Sequence, residues 1–380
     1  MSVNPNIRLM ALPHPGPQQQ TQTQALEPAR LRSAKRAFST RRVDFSRAVN
    51  LISSDYQPQV GDLLLARVGR VGHHKRIERP DGRRAHLFAG DEIIVCYGNR
   101  YAPDQFEGLV PDHLGECELV AAGGIAASVV CKHRSVAAAT RLEPLGILAD
   151  EQGRALNLSQ FALAQPSTAG RDLPPVLAVV GTSMNAGKTT AAARLIRGLS
   201  RAGKRVASAK ITGTGAGGDF WTMLDAGAQP VIDFTDAGLP STHGVGLAEL
   251  ESVMSALLMH LHQSAPDAIV IEVADGLLQS ETRRLIEGAV FNSLVDQVVF
   301  AAGDAMGAVA GYRQLQQTGC RIAALSGAFT AAPLAVREVQ RELDCPVYQK
   351  TELSDPEVAC SLIGEPIAKA DRVDETAASV

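Results

Sequence analysis

The sequence predicts two folded parts of different class: a β-rich, barrel-like domain over residues 43–165, then an α/β domain with a doubly wound, mostly parallel sheet over 166–365. Three observations predict this. Short runs rich in branched apolar residues, separated by turn signals, fill the first part. A stretch with linker composition, AQPSTAGRDLPP at 164–175, follows them. Beyond it the hydrophobic period changes, and apolar strands alternate with helical segments. At 380 residues the chain is long enough for two cores of ordinary size.

The first 42 residues carry Pro, Gln and basic side chains without apolar periodicity (PHPGPQQQTQTQ, then RLRSAKRAFSTRR), so a disordered tail is expected there. A second flexible tail is expected over 366–380. In the barrel-like part, GDLLLARVGRV and GDEIIVCYGNRY read as strands, and the turn-like RPDGRR points to a hairpin. ECELVAAGGIAASVVC and LEPLGILADEQGRALNL continue in the same style. After the linker, the strands VLAVV, RVASAK, AIVIE, QVVFAA and RIAALS alternate with helical stretches such as TTAAARLIRGLSRAG and LAELESVMSALLMHLHQ. Alternation of this kind places helices on both faces of a parallel sheet.

Composition narrows the function classes. With 45% hydrophobic and 20% charged residues the chain reads as soluble and globular, and 4% aromatics suits close-packed layers better than a base-stacking surface. No run approaches 18 apolar residues and the first 40 residues lack a secretory apolar core, so a cytoplasmic protein with no membrane partner is expected. The six cysteines form no C-x-x-C pair, which argues against a disulfide framework or a zinc ribbon. The first 100 residues hold 16 Lys and Arg against 8 Asp and Glu, although the net charge of the chain is only -3. A basic front of this kind is most often a solvated face, and nucleic acid is the minority reading.

The stretch with the clearest chemistry is VLAVVGTSMNAGKTTAAARLIRGL at 176–199. In G-x-x-x-x-G-K-[ST], backbone N–H groups and a helix N-terminus surround phosphates, the lysine neutralises charge, and the hydroxyl binds Mg²⁺. Here five residues, not four, separate Gly181 from Gly187, so Thr182 fills the first glycine position. The strand before the loop and the Ala-rich helix after it supply the context that the mechanism requires.

GTSMNAGKTT resembles the loop of one branch of P-loop NTPases, the SIMIBI class. There dethiobiotin synthetase, the cobyrinic and cobyric acid synthases and the molybdopterin-guanine dinucleotide accessory protein B share G-T-x-x-x-x-G-K-T. In that branch, Thr at the first glycine position is ordinary. The partition and septum-placement ATPases of the same class carry an extra lysine early in the loop, where this chain has Ser183. DAIVIEVADG, ending a strand with Glu272, is similar to the V-E-G-A-G-G stretch of dethiobiotin synthetase, with Val273 and Asp275 replacing glycines. Lys210 falls where those synthetases have a lysine near the substrate, and Asp219 where related enzymes have an acidic Mg²⁺ ligand. The resemblance covers roughly residues 176–350.

The resemblance implies ATP with Mg²⁺ as cofactors, and the absence of an N-K-x-D guanine signature favours ATP over GTP. Thr182, Asn185, Ala186, Gly187, Lys188, Thr189 and Thr190 would bind the nucleotide. Thr189, Asp219 and Glu272 would hold the metal, and Lys188, Lys210 and Glu272 would be the catalytic groups. Two activities follow: phosphorylation or activation of a small-molecule substrate, or a nucleotide-driven switch or chaperone whose barrel-like domain docks a protein client. A homodimer is left open.

Several other polar stretches are candidates. The loop DFTDAGLPSTHG at 233–244 concentrates Asp233, Asp236, Ser241, Thr242 and His243 at the strand ends, where a second substrate is expected as often as an ordinary polar loop. Gln279, Glu281, Thr282 and Arg283 follow Glu272, and read equally as phosphate contacts or as helix-capping residues. SGAFTAAP at 326–333 sits where the related enzymes read the base. The His pair in HHKR, 73–76, lacks the further spaced ligands of a metal site. YGNRYAPDQFEG, 97–108, is dense in turn and polar residues and is a candidate to face the nucleotide cleft, although most such segments are structural.

Overall fold

The structure, a computed structural model, describes residues 23–164 and 173–364. The chain is folded from Thr23 on, which corrects the expected tail over its residues 23–42. Strand β1 (Thr23–Ala25) pairs antiparallel with β3 (Asn50–Ile52), the short helix α1 (Pro28–Ser33) follows, and β2 (Lys35–Arg36) lies parallel along β7 (Glu92–Tyr97). Two of the basic side chains that mask any apolar period here are paired, Arg30 with Glu92 at 2.7 Å and Lys35 with Asp91, and Phe38 and Thr40 are buried. Residues 1–22, the rest of the expected tail, and 366–380 lie outside the described residues, as does most of the linker.

The barrel-like domain is a closed barrel. Five strands pair in a ring: β4 (Leu63–Val68), β7, β11 (Ile125–Lys132), β10 (Cys117–Ala121) and β12 (Thr140–Ala149), which returns to β4. All neighbours are antiparallel except β7 and β11, which run parallel. Alternate residues along each strand feed different apolar clusters, Leu63, Leu65, Ile94 and Leu148 one of them, and Leu64, Ala66, Val95 and Ile147 the other. The wall is therefore buried on both sides, which is why these strands read as continuous apolar runs and not as alternating ones. Two hairpins accompany it: β5 (Arg76–Glu78) with β6 (Arg84–His86), and β8 (Arg100–Tyr101) with β9 (Phe106–Leu109), whose β9 pairs antiparallel along β11.

The second domain is a six-stranded parallel sheet. Its strands are β13 (Val176–Gly181), β14 (Val206–Thr212), β15 (Val231–Asp233), β16 (Ala268–Val273), β17 (Gln297–Ala302) and β18 (Ile322–Gly327), in the spatial order β15-β14-β16-β13-β17-β18. Beyond the five expected strands, β15 is new; at three residues it is too short to show a period. Helix α2 (Lys188–Arg201) buries Leu195, Ile196 and Leu199 against one face, together with Met223 of α3 (Gly217–Ala226). Helix α4 (Leu247–His262) buries Leu250, Met254, Leu257 and Leu261 against the other, together with Leu285 of α5 (Ser280–Glu287) and Ala308 of α6 (Ala305–Gln316). Adjacent strands β13 and β16 thus send their chains to opposite faces, opening a crevice above their carboxyl ends. No helix among the described residues is long and apolar enough to cross a membrane.

The barrel docks onto that end of the sheet. Phe38 stacks edge-on against Phe220 and Trp221 of α3, at centroid distances of 5.6 and 6.4 Å. Arg41 reaches Asp233 at 3.0 Å and also bonds Asp236 and Thr235. Glu78 of β5 accepts from the backbone N–H of Gly217, so the barrel caps the first turn of α3. Part of the basic surplus of the first 100 residues is therefore spent on an acidic loop of the same chain.

Candidate nucleotide site

The loop between β13 and α2 has the geometry that a phosphate-binding loop needs. The first backbone bond of α2 runs from Ala191 N–H to the Gly187 carbonyl at 2.9 Å, so the N–H groups of Lys188, Thr189 and Thr190 have no acceptor within the helix and point toward the loop. Lys188 Nζ spans the loop and donates to the Ser183 carbonyl at 2.8 Å. The displaced glycine has a steric reason: a Cβ at Gly181 would lie 2.7 Å from Lys188 Cγ and 2.9 Å from the Ala301 carbonyl, so the lysine folds back only over a residue without a side chain. Across the crevice Gly276 packs as tightly, since a Cβ there would fall 2.3 Å from the Thr182 carbonyl. This close approach carries Asp275 to the loop. Asn185 and Ala186 are held from outside the loop: Asn185 Nδ2 donates to Asp104 Oδ2 at 3.0 Å, and the Ala186 carbonyl accepts from Ala328 N at 2.9 Å.

At the start of α2 four polar side chains converge. Thr189 Oγ1 lies 2.9 Å from Asp219 Oδ1 and 3.0 Å from Glu272 Oε1, and Lys210 pairs with Asp219. A hydroxyl has one hydrogen, so Thr189 satisfies one carboxylate at a time. Glu272 Oε2 is buried with no partner. Burial, reinforced by the Asp219 charge, pushes the Glu272 carboxyl up to about 7. Burial works the same way on Asp219, but the Lys210 ammonium outweighs it and holds that carboxyl below its ordinary value. Burial works against charge on Lys210 too, and there Asp219 and Glu272 prevail and raise it. Lys188 is lowered by burial.

The donor set fits Mg²⁺ bound together with phosphate. It offers hard oxygen ligands, two carboxylates and a hydroxyl, one of whose oxygens is orphaned. Among the described residues no three His, Cys, Asp or Glu side chains gather into a metal cage, so a metal held here would take its remaining ligands from phosphate and water. The structure thus brings together Lys188, Thr189, Lys210, Asp219 and Glu272, with Thr182, Asn185, Ala186, Gly187 and Thr190 lining the same loop.

Other candidates are placed elsewhere. Asp233 and Asp236 of the 233–244 loop are taken up by Arg41, and the Thr242 hydroxyl accepts from Gly213 N at 2.8 Å. His243 does face the crevice, with its ring 5.6 Å from that of Tyr101. Gln279 caps α5 by accepting from Thr282 N at 2.7 Å, and Arg283 pairs with Glu287 on the surface, away from the loop. His74 is bound to the Val120 carbonyl at 2.9 Å. The six cysteines are all free thiols.

The reading of single residues missed what the barrel contributes. Arg100, Tyr101 and Asp104 come from the β8–β9 hairpin, 81 residues or more before the Asn185 that Asp104 touches. The only local signal was the density of turn and polar residues at 97–108.

No family model and no curated protein matches the chain. Solved structures do. The chain is similar to chloroplast FtsY from Physcomitrella patens, with 19% identity and a TM-score of 0.37 over 55% of this chain and 69% of that one. It is similar to a DUF1611 family protein from Anabaena variabilis, with 16% identity and a TM-score of 0.36 over 53% and 62%. It is also similar to the septum site-determining protein MinD from Pyrococcus horikoshii, solved with Mg-ADP, with 13% identity and a TM-score of 0.34 over 50% and 95%.

Proposed function

We propose that the chain is a Mg-ATP-dependent enzyme that phosphorylates or activates a small-molecule substrate. The observation that carries this reading is the convergence of Thr189, Asp219 and Glu272 beside Lys188 and Lys210 at the N-terminus of α2, with one oxygen of Glu272 left without a partner. In this reading Lys188 and the N–H groups at the start of α2 hold the phosphates. Thr189, Asp219 and Glu272 would hold the metal, which would supply positive charge beside the phosphates. Lys210, tethered by Asp219, lies beside the metal ligands and supports the transferring group or the substrate. The chemistry is mainly positioning and charge neutralisation.

The alternative is a nucleotide-driven switch acting on a protein partner. One observation favours it: the Asn185–Asp104 hydrogen bond joins the phosphate loop to the barrel, so a change in the loop would be felt in the other domain. Single-turnover hydrolysis of ATP separates the two. Turnover that appears only with a pool of metabolites supports the enzyme, and slow turnover independent of any pool supports the switch. In both cases Lys188→Ala lowers the rate on the order of a hundredfold or more. Wild type and Lys188→Ala with equal, negligible rates under all conditions would leave a binding module without turnover.

A further inference from the structure

Arg100, on β8 of the barrel, is a buried cation that the protein leaves largely unmatched. It is 6% exposed, and among the described residues no carboxylate lies within ion-pair distance of it. Its Nη2 donates to Gln105 Oε1 at 2.9 Å, and its Nε has no partner. Nη1 lies 3.2 Å from His74 Nε2, but that nitrogen is 2.9 Å from the Val120 carbonyl. A carbonyl only accepts, so when the imidazole donates to it the same nitrogen cannot accept from the arginine. Burial pulls the guanidinium down to about 10, with Asp104 and Asp275 opposing at longer range. An arginine so placed is a site for an anion.

Its position says which anion. Asp104, four residues on, holds Asn185 of the phosphate loop, and Asp275 sits next to Gly276 where that segment packs on Thr182. Arg100 stands on the same hairpin as Asp104, which the Asn185 bond ties to the loop, and its charge acts on the Asp275 carboxyl together with those of Lys210, Lys188 and His243, so it lies on the barrel side of the loop. The Thr189–Asp219–Glu272 set, which would hold a metal together with phosphate, lies beside the same two lysines.

We propose that the barrel domain supplies Arg100 to the terminal phosphate of the nucleotide, so that the N-terminal domain completes the site for a triphosphate. The planar fork of a guanidinium matches two phosphate oxygens, which an ammonium cannot do. This rests on the reading of the loop as a Mg-nucleotide site. It gives the barrel a role in telling triphosphate from diphosphate.

The test is calorimetric titration of wild type, Arg100→Ala and Arg100→Lys with Mg-ADP and with the Mg complex of a non-hydrolysable ATP analogue, circular dichroism serving to check the fold. Arg100→Ala is expected to lose about tenfold to hundredfold in affinity for the triphosphate and to keep its affinity for Mg-ADP within roughly twofold. Arg100→Lys is expected to fall between the two, and it decides the matter if the alanine variant does not fold. Equal losses for both nucleotides, or no loss for either, would overturn the role of Arg100 while leaving the nucleotide site intact. A wild type that binds neither nucleotide would overturn both.

Discussion

Two arginines of the N-terminal domain lie on the side of the sheet domain, Arg41 largely and Arg100 more completely buried, and they are treated in opposite ways. Arg41 is met on every side: by Asp233 and Asp236, by the Thr235 hydroxyl, and by the rings of Phe38 and Phe220 at 4.2 and 5.2 Å. Burial works against its charge, but the two carboxylates overcome it and raise its pKa above the ordinary value. Arg100 is the more deeply buried of the two, with no carboxylate in ion-pair reach and a pKa drawn down to about 10. The difference separates an anchor from a working residue. A buried charge that the fold pairs is part of how the domains hold together, whereas one left unpaired costs stability and is kept for something else.

Substitution of the two arginines and of His74 tests this difference. Arg41→Met leaves the buried Asp233 without a cation and Asp236 with only Arg42 at 3.8 Å, and a loss of about 3–5 kcal/mol is expected, read as a fall in the denaturant midpoint. A change below about 1 kcal/mol would show that Arg41 is no anchor. His74, packed beside Arg100, is the next largest. Burial, and then the Arg100 charge, lower its pKa from 6.5 to about 4. A folded-state pKa below the unfolded value means that the neutral ring stabilises the protein at pH above 6.5, and that this contribution is lost as the pH falls toward 4. At most roughly 3 kcal/mol is involved. Carboxylates titrate in the same window, so the measurement is the difference in slope between wild type and His74→Gln, and identical slopes would refute the assignment. The smallest effect is the most telling: Arg100→Met, measured without nucleotide, is expected to be neutral or to stabilise the protein by about 1 kcal/mol. A loss as large as that of Arg41→Met would erase the distinction.

How much of this the sequence shows depends on the range over which the cause acts. The loop between β13 and α2 is legible because strand, glycines, lysine and helix lie within 24 consecutive residues, although the displaced Gly181 is explained by Lys188 together with Ala301, its partner on β17. Glu272 is legible as the polar end of an apolar strand, and Lys210 and Asp219 by analogy of position. Arg41 and Arg100 are not, since what distinguishes them lies in the other domain: Asp233 is 192 residues from Arg41, and Asn185 is 81 from the Asp104 that stands beside Arg100. The excess of basic residues in the first 100 positions, against an acidic remainder, was the trace of that matching. Strand β15 escapes because three residues carry no period, and residues 23–42 because their order comes from pairing with Glu92, Asp91 and the edge of β7.

The account stands or falls on whether Thr189, Asp219 and Glu272, beside Lys188, form a Mg-nucleotide site. The direct measurement is calorimetric titration of the purified full chain with ATP in the presence and absence of Mg²⁺, repeated with Glu272→Gln. The account predicts binding by the wild type that tightens with Mg²⁺, and a smaller Mg²⁺ effect in the variant. Binding whose dependence on Mg²⁺ is the same in both proteins would contradict the placement of the metal, and a folded wild type that binds no nucleotide at all would contradict the site.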